Sequence, residues 1–409
     1  MRFHPKAVVV SSLIALACSS NGGVSNSAPG QSEAGAPSAG APSAGAPSAG
    51  SSGALSVAGG SGVTGSAGEL SSAGTGGGVP SGGATVIAEP AGGAGAGGVA
   101  AGGSGGAAAI SKPKQKVLDY FASISGKQTI FGIENKGTPH GDTDHVKSVT
   151  GKQPGFWGND FGFGGAVGNR AAMAAEAVKQ WHAGAVVALM YHACAPTRDE
   201  NCNWDDVGGA NPQHLSDSQW TDLVTPGSDL YKAWIGRLDA LSVVFKTLKD
   251  AGVAPLFRPL HELNQCVFWW SCHKGDNGSQ KLFQITHDYL TNIKGFDNII
   301  WVWNVQDFNS LSSDVNTYNP GTSYFDIAAL DVYNTGYTSG NYNAMLGAAG
   351  DKPIAIGECQ FMPSLDILKQ QPKWLYAMLW PDFYGNNPSL SALYNSASVL
   401  TEDEMPGWQ

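Results

Sequence analysis

"APLFRPLHELNQCVFWW" spans Ala254 to Trp270. An apolar run, Ala254–His261, closes on His261 and Glu262, and Phe268, Trp269 and Trp270 follow. A near-continuous apolar run of this length reads as a strand buried on both faces, as in parallel sheets. Seven more such runs lie around it: Gln128–Ile133, Pro154–Gly158, Ala185–His192, Asn298–Asn304, Phe325–Tyr333, Pro353–Glu358 and Tyr376–Trp380. Helical patterns separate most of them, such as "DLYKAWIGRLDALSVVFKTLKDAG" before the opening stretch, with Gly252 as its stop signal. Eight strand–helix units over residues 111–409 predict a (β/α)8 TIM barrel. A doubly wound sheet is the alternative. The segment after the fifth run, "SLSSDVNTYNPGTSY", is weakly helical, and the eighth run is short.

The ends of the runs carry the chemistry. In a TIM barrel the site lies at the carboxyl ends of the strands. Those ends here hold Asp160, His192, His261 with Glu262, Trp303 with Asn304, Asp331 with Tyr333, Glu358 and Trp380. Two glutamates, Glu262 and Glu358, face each other across the predicted mouth. A carboxyl pair is the apparatus of glycoside hydrolysis: one protonates the leaving oxygen, the other attacks the anomeric carbon or activates water. Each glutamate alone is equally well explained by pairing with a rim Arg or Lys. Aromatic residues at or beyond strand ends supply surfaces on which the C–H face of a sugar stacks. Trp157, Trp204, Phe268, Trp269, Trp270, Trp303, Tyr333 and Trp380 are such residues. Some must be core, and only one or two of the Phe268–Trp270 trio are expected to meet a ligand.

These motifs resemble glycoside hydrolase family 26, the β-mannanases and their relatives. "LFRPLHELNQCVFWW" is similar to the family's "RPxHExN…WFWW" signature, and "IAIGE" to its nucleophile strand. "GKQPGFWGNDF", "YHACAP", "WVWN", "DIAALDVY" and "VLTEDEMP" follow the same pattern, so the resemblance runs from Ser111 to the C-terminus. It implies a (β/α)8 barrel and a retaining double displacement, with Glu262 as acid/base and Glu358 as nucleophile. It further implies that His192 and His261 bind sugar at the cleavage point, Tyr333 hydrogen-bonds the nucleophile and Trp380 stacks under the sugar. From the strand-end aromatics, Trp269 and Trp303 are expected as further substrate contacts. The expected activity is endo-β-1,4-mannanase on a polysaccharide substrate. β-1,3-Xylan or mixed-linkage β-glucan is the alternative within the family, because Gln265, Cys266 and Val267 replace residues usual beside the acid. A non-catalytic carbohydrate-binding surface lipoprotein is the alternative outside it. Arg258 is read first as a partner for barrel carboxylates.

Composition bounds the rest. The net charge is −10 with no basic run, which argues against nucleic acid as a partner. Ala7–Ala17, after Arg2 and Lys6, is apolar but too short to span a bilayer, and it ends at Cys18. This resembles a lipoprotein signal over residues 1–17, with Cys18 lipidated; an ordinary secretory signal is the alternative. Residues 18–110 read as a flexible linker, with "AGAPS" in tandem from Ala34 and Glu33, Glu69 and Glu89 its only charges. Residues 111–409 are the catalytic barrel. The expected location is extracellular or cell-surface, with a lipid anchor as the only membrane contact and a monomeric chain. Of the six cysteines, Cys194/Cys202 and Cys266/Cys272 are close enough in sequence for two local disulfides in an oxidising compartment, which leaves Cys359 free. Zinc is the competing reading, but no CxxC spacing occurs. No metal and no cofactor are expected.

Overall fold

The structure, a computed structural model, describes residues 111–162, 166–200, 202–208 and 214–408. The expected signal segment, Cys18 and the expected linker lie outside the described residues. Eight strands, β1 Thr129–Glu134, β2 Phe156–Asp160, β3 Val186–Tyr191, β4 Leu256–Pro259, β5 Ile300–Gln306, β6 Ile327–Val332, β7 Ile354–Cys359 and β8 Trp374–Leu379, pair in parallel in chain order. β1 pairs with both β2 and β8, which closes the ring. The fold is therefore the barrel, not the doubly wound alternative, which would leave two open edges. A short β9, Val399–Leu400, adds to β1 through Thr129 and Ile130.

Helices α1 Lys112–Ile124, α2 Gly141–Thr150, α3 Ala166–Ala183, α4 Trp204–Val207, α5 Asp217–Val224, α6 Asp229–Asp250, α7 Ser279–Asp288, α8 Leu311–Thr317, α9 Ser339–Ala349, α10 Leu365–Gln370 and α11 Leu390–Tyr394 are the α-helices among the described residues. Local chemistry starts and stops them. Ser216 and Gln219 form a reciprocal capping box on α5, and the Ser228 side chain accepts from the Tyr231 N–H at the start of α6. The weakly patterned segment after β5 does hold a helix, α8. α6 buries Trp234, Leu238, Leu241, Phe245 and Leu248 at helical spacing, on the face turned to the strands. Inside the ring, Phe156 stacks on Tyr376 with centroids 4.5 Å apart.

β4 is the shortest of the eight barrel strands. Its ladder stops at Pro259, before His261 and Glu262. The two residues expected on a strand therefore lie in a turn past its end, with Leu260 and Glu262 both at positive φ, 50° and 52°. Such a backbone is uncommon for residues other than glycine and must be held by its surroundings.

Candidate active site

Asn304, near the end of β5, holds that turn. Its Oδ1 accepts the Glu262 N–H at 2.7 Å, and its Nδ2 donates to Asp331 Oδ1 at 2.8 Å. The loop after Glu262 is closed by a Cys266–Cys272 disulfide and by Cys272 N–H donating to Leu263 O at 2.8 Å. A second disulfide joins Cys194 to Cys202 in the loop after β3, so these four thiols are not zinc ligands. Cys359 is buried and free, and burial pushes its thiol up to about 12.

Glu358 sits on β7 opposite. Its register partner on β6 is Asp331, while Ile356 pairs with Leu330, so Gly357 is one residue extra in the ladder. That bulge aims Glu358 into the barrel. Arg258 from β4 donates Nη2 to Glu358 Oε1 and Nη1 to Asp331 Oδ2, the latter at 2.8 Å. Tyr333 donates its hydroxyl to Glu358 Oε2 at 2.8 Å. Burial, then the charge of Glu358, holds the Tyr333 phenol well above its ordinary range, so it remains a donor. Tyr333 is in turn fixed by Asp307, a buried carboxylate that accepts the N–H groups of Tyr333, Asn334, Thr335 and Gly336. Asp307 reads from sequence as an ordinary loop residue, and only its position after a strand end marks it.

The two glutamates are held differently. Glu358 has two donors, one of them cationic. Glu262 is 3 % exposed, and burial together with the charges of Asp331 and Glu358 raises its carboxyl well above the usual range. Beside them, His192 pairs through Nδ1 with Asp160. Burial alone would raise Asp160; His192 and the N–H groups of Gly162 and His192 outweigh it and leave the carboxyl lowered. His261 meets the His192 ring edge-on at 4.4 Å. Burial, then His192 and Arg258, push His261 well below its ordinary value, so it is neutral. Among the described residues its Nδ1 has no hydrogen-bond partner.

Trp380 lies one residue past β8, packed with Met190, Tyr333 and Phe383. The structure thus brings together Glu262, Glu358, His192, His261, Tyr333 and Trp380. It does not bring Trp303 or Trp269 to them. Asn304 turns inward, so Trp303, its neighbour on the strand, faces out, packs on Phe325 and donates to Tyr318 O at 3.0 Å. Trp269 is fully buried against Trp234, with its N–H on Ala193 O at 2.7 Å. Both are packing residues, which corrects the expectation that they contact substrate. Phe268 and Trp270 stack at 4.4 Å and wedge against both histidines. Glu134, the last residue of β1, was missed by a run that ended at Ile133. It is 2 % exposed, with Oε1 unpartnered, and burial followed by the charge of Asp160 raises its carboxyl well above the usual range. Among the described residues no group of three or more His, Cys, Asp or Glu has metal-holding geometry.

The description of glycosyl hydrolase family 26 matches residues 107–404. A mannan endo-1,4-beta-mannosidase from Thermothelomyces thermophilus is 32% identical over 315 residues, covering 72% of this chain and 61% of its own length. The chain therefore spans less than two thirds of that relative. A Bacillus subtilis mannan endo-1,4-beta-mannosidase is 25% identical over 290 residues, covering 64% of this chain and 77% of its own. Among solved structures, GH26A from Muricauda sp. superposes with a TM-score of 0.68 at 33% identity, covering 73% of this chain and 98% of that one. A GH26-CBM35 beta-(1,4)-mannanase from Podospora anserina gives 0.61 at 29% identity, covering 73% and 68%. The chain belongs to glycosyl hydrolase family 26.

Proposed function

We propose that the chain is a retaining endo-β-1,4-mannanase, with Glu262 as acid/base and Glu358 as nucleophile. The observation that carries this reading is the opposed treatment of the two carboxyls. Glu358 accepts from Arg258 and Tyr333, which hold both its oxygens in place for attack. Glu262 is buried facing negative charge, which keeps its proton for the leaving oxygen. In the first step Glu262 transfers that proton to the glycosidic oxygen. Glu358 bonds to the anomeric carbon as the carbon–oxygen bond breaks. The Glu358 charge is then spent in the ester, and Glu262, now ionised, is less disfavoured in that form. In the second step it takes a proton from water, whose oxygen displaces Glu358 and restores both groups. His192 and His261 receive sugar hydroxyls and Trp380 stacks under the ring. The mannan substrate is supported by what the named relatives act on.

Hydrolysis of mannan, glucomannan, β-1,3-xylan and lichenan, with product sizes recorded, tests the reading. Mannan is expected to be cleaved internally, and Glu358→Ala to abolish cleavage. Unchanged hydrolysis by Glu358→Ala sinks the mechanism. Preference for xylan or lichenan moves the substrate to the alternative that Val267 suggests. Binding without release of reducing ends makes the chain a carbohydrate-binding protein.

For the N-terminal segment we propose a signal over residues 1–17, a lipid on Cys18 and a tether over 18–110 that displays the barrel outside the cell. The reading is supported by the apolar stretch before Cys18 and by the absence of aromatic, Lys and Arg residues in the tether. Mass spectrometry of the mature N-terminus decides it: an N-terminus other than a lipidated Cys18 overturns the anchor.

A further inference from the structure

Trp380 is the sugar platform in the function proposed above, and the present inference rests on that reading. Its backbone N–H donates to Cys359 O at 3.1 Å, which sets its Cα beside the Glu358 strand. The tilt of the indole is set from elsewhere. Nε1 donates to Asp382 Oδ2 at 2.8 Å. The same oxygen takes Lys136 Nζ at 2.6 Å, and that ammonium lies 5.7 Å from the Trp380 ring centroid. Lys136 is two residues beyond β1, across the seam where β1 and β8 close the barrel. A second strut crosses the same seam. The Lys136 N–H donates to Asp142 Oδ2 at 2.7 Å, and Tyr384 donates its hydroxyl to Asp142 O at 3.0 Å. The loop after β1 and the loop after β8 therefore grip each other through two aspartates, one of which holds the indole.

We propose that Lys136 is a positioning residue that acts on turnover through Asp382 and Trp380, without touching the reacting atoms. An indole N–H bonded to a lone surface carboxylate leaves that carboxylate free to rotate and hydrate. A lysine on the same oxygen fixes it from a second direction, and its charge over the ring adds a cation–π attraction. The ring face is then presented at one angle, which stacking at the cleavage point requires. The Lys136 and Asp382 side chains are 29% and 31% exposed, so salt reaches the bridge. A pair this exposed adds little to folding stability. A neutral polysaccharide has no charge for salt to screen on encounter, so a salt effect on turnover reports the bridge.

The test measures kcat, KM and thermal midpoint for wild type, Lys136→Met and Lys136→Arg, in low and high sodium chloride, on whichever β-glycan the wild type cleaves. Lys136→Met is expected to lose on the order of tenfold in kcat/KM, chiefly in kcat, with the midpoint unchanged. Lys136→Arg recovers most of the loss. Salt lowers kcat/KM of the wild type and leaves that of Lys136→Met flat. Wild-type kinetics in Lys136→Met, a loss that follows the midpoint, or the same salt response in both overturns the inference while leaving the hydrolase reading intact. A wild type that cleaves no β-glycan overturns that reading and the inference with it.

Discussion

Glu262, the proposed acid/base, shows how far neighbours set the protonation of a buried carboxyl. Glu134, Asp160, Glu262, Asp331 and Glu358 are all at most partly exposed at one end of the barrel, and Arg258 is the guanidinium among them. Arg258 is spent on Asp331 and Glu358, so Glu262 faces more negative charge than it can offset. Burial is the largest reason its carboxyl is raised, with Asp331 and Glu358 next. Removing the Glu358 charge withdraws one of those causes and leaves Arg258 less neutralised. Both changes favour the ionised form. In Glu358→Gln the Glu262 carboxyl is therefore expected to titrate lower than in wild type, though still above an ordinary glutamate because burial persists. Carbon-13 NMR of glutamate-labelled protein, assigned by comparison with Glu262→Gln, reads this directly. A Glu262 titration that stays in place or moves up would refute the electrostatic account of the pair.

The β7 strand depends on one residue with no side chain. A Cβ on Gly357 would press into Asp331 Oδ1 and lie 2.7 Å from Asn304 Nδ2. Those two groups carry the Arg258 pair and the Glu262 N–H, so a methyl there disturbs both glutamates at once. Gly357→Ala is expected to cost about 1–3 kcal/mol, the range for overpacking a filled interior, and to lower kcat by more than the loss of folded protein explains. Urea unfolding with turnover per folded molecule separates the two; wild-type turnover would show that the bulge does not aim Glu358. The strands themselves were legible because a ring buried on both faces demands unbroken apolar runs. Their parity was less so: Asn304 and Trp303 are adjacent, only one can point inward, and stacking chemistry favoured the wrong one. Trp269 lies in a turn with no period to read. Glu262 was placed on a strand because nothing in "PLHEL" announces a positive φ, which is imposed by Asn304 from β5. Asp307 and Glu134 looked like the first polar residues of loops, since a sequence does not show which backbone amides or carboxylates will surround them.

Across the whole molecule, the acidic barrel end couples folding to pH. Glu134 is the cleanest case, because the proposed reaction does not use it. Its Oε2 fills the space a Cβ on Gly158 would need, beside Met378 Sδ, and its Oε1 has no partner among the described residues. Its carboxyl is raised by burial first, then by Asp160, against the opposing pull of Arg258. Raised in the folded state, it contributes its stability fully below the unfolded value, 4.5, and loses it as pH climbs towards the folded value. Glu262 and Asp331 carry the same sign. Asp160, lowered, and His261, lowered, act in the opposite sense, favouring the folded state less as pH falls. Glu134→Gln removes one contribution and leaves the others. The variant offset at any single pH mixes this with the fit of an amide beside Gly158, but the change of that offset with pH does not. Relative to wild type, Glu134→Gln is expected to gain stability from about pH 4.5 upward, by about 1.4 kcal/mol per pH unit until the folded carboxyl ionises. Paired urea unfolding curves at several pH values measure the slope. Parallel curves would mean that Glu134 is ionised in the folded protein, and the charge balance of the barrel mouth would have to be redrawn with one more anion in it.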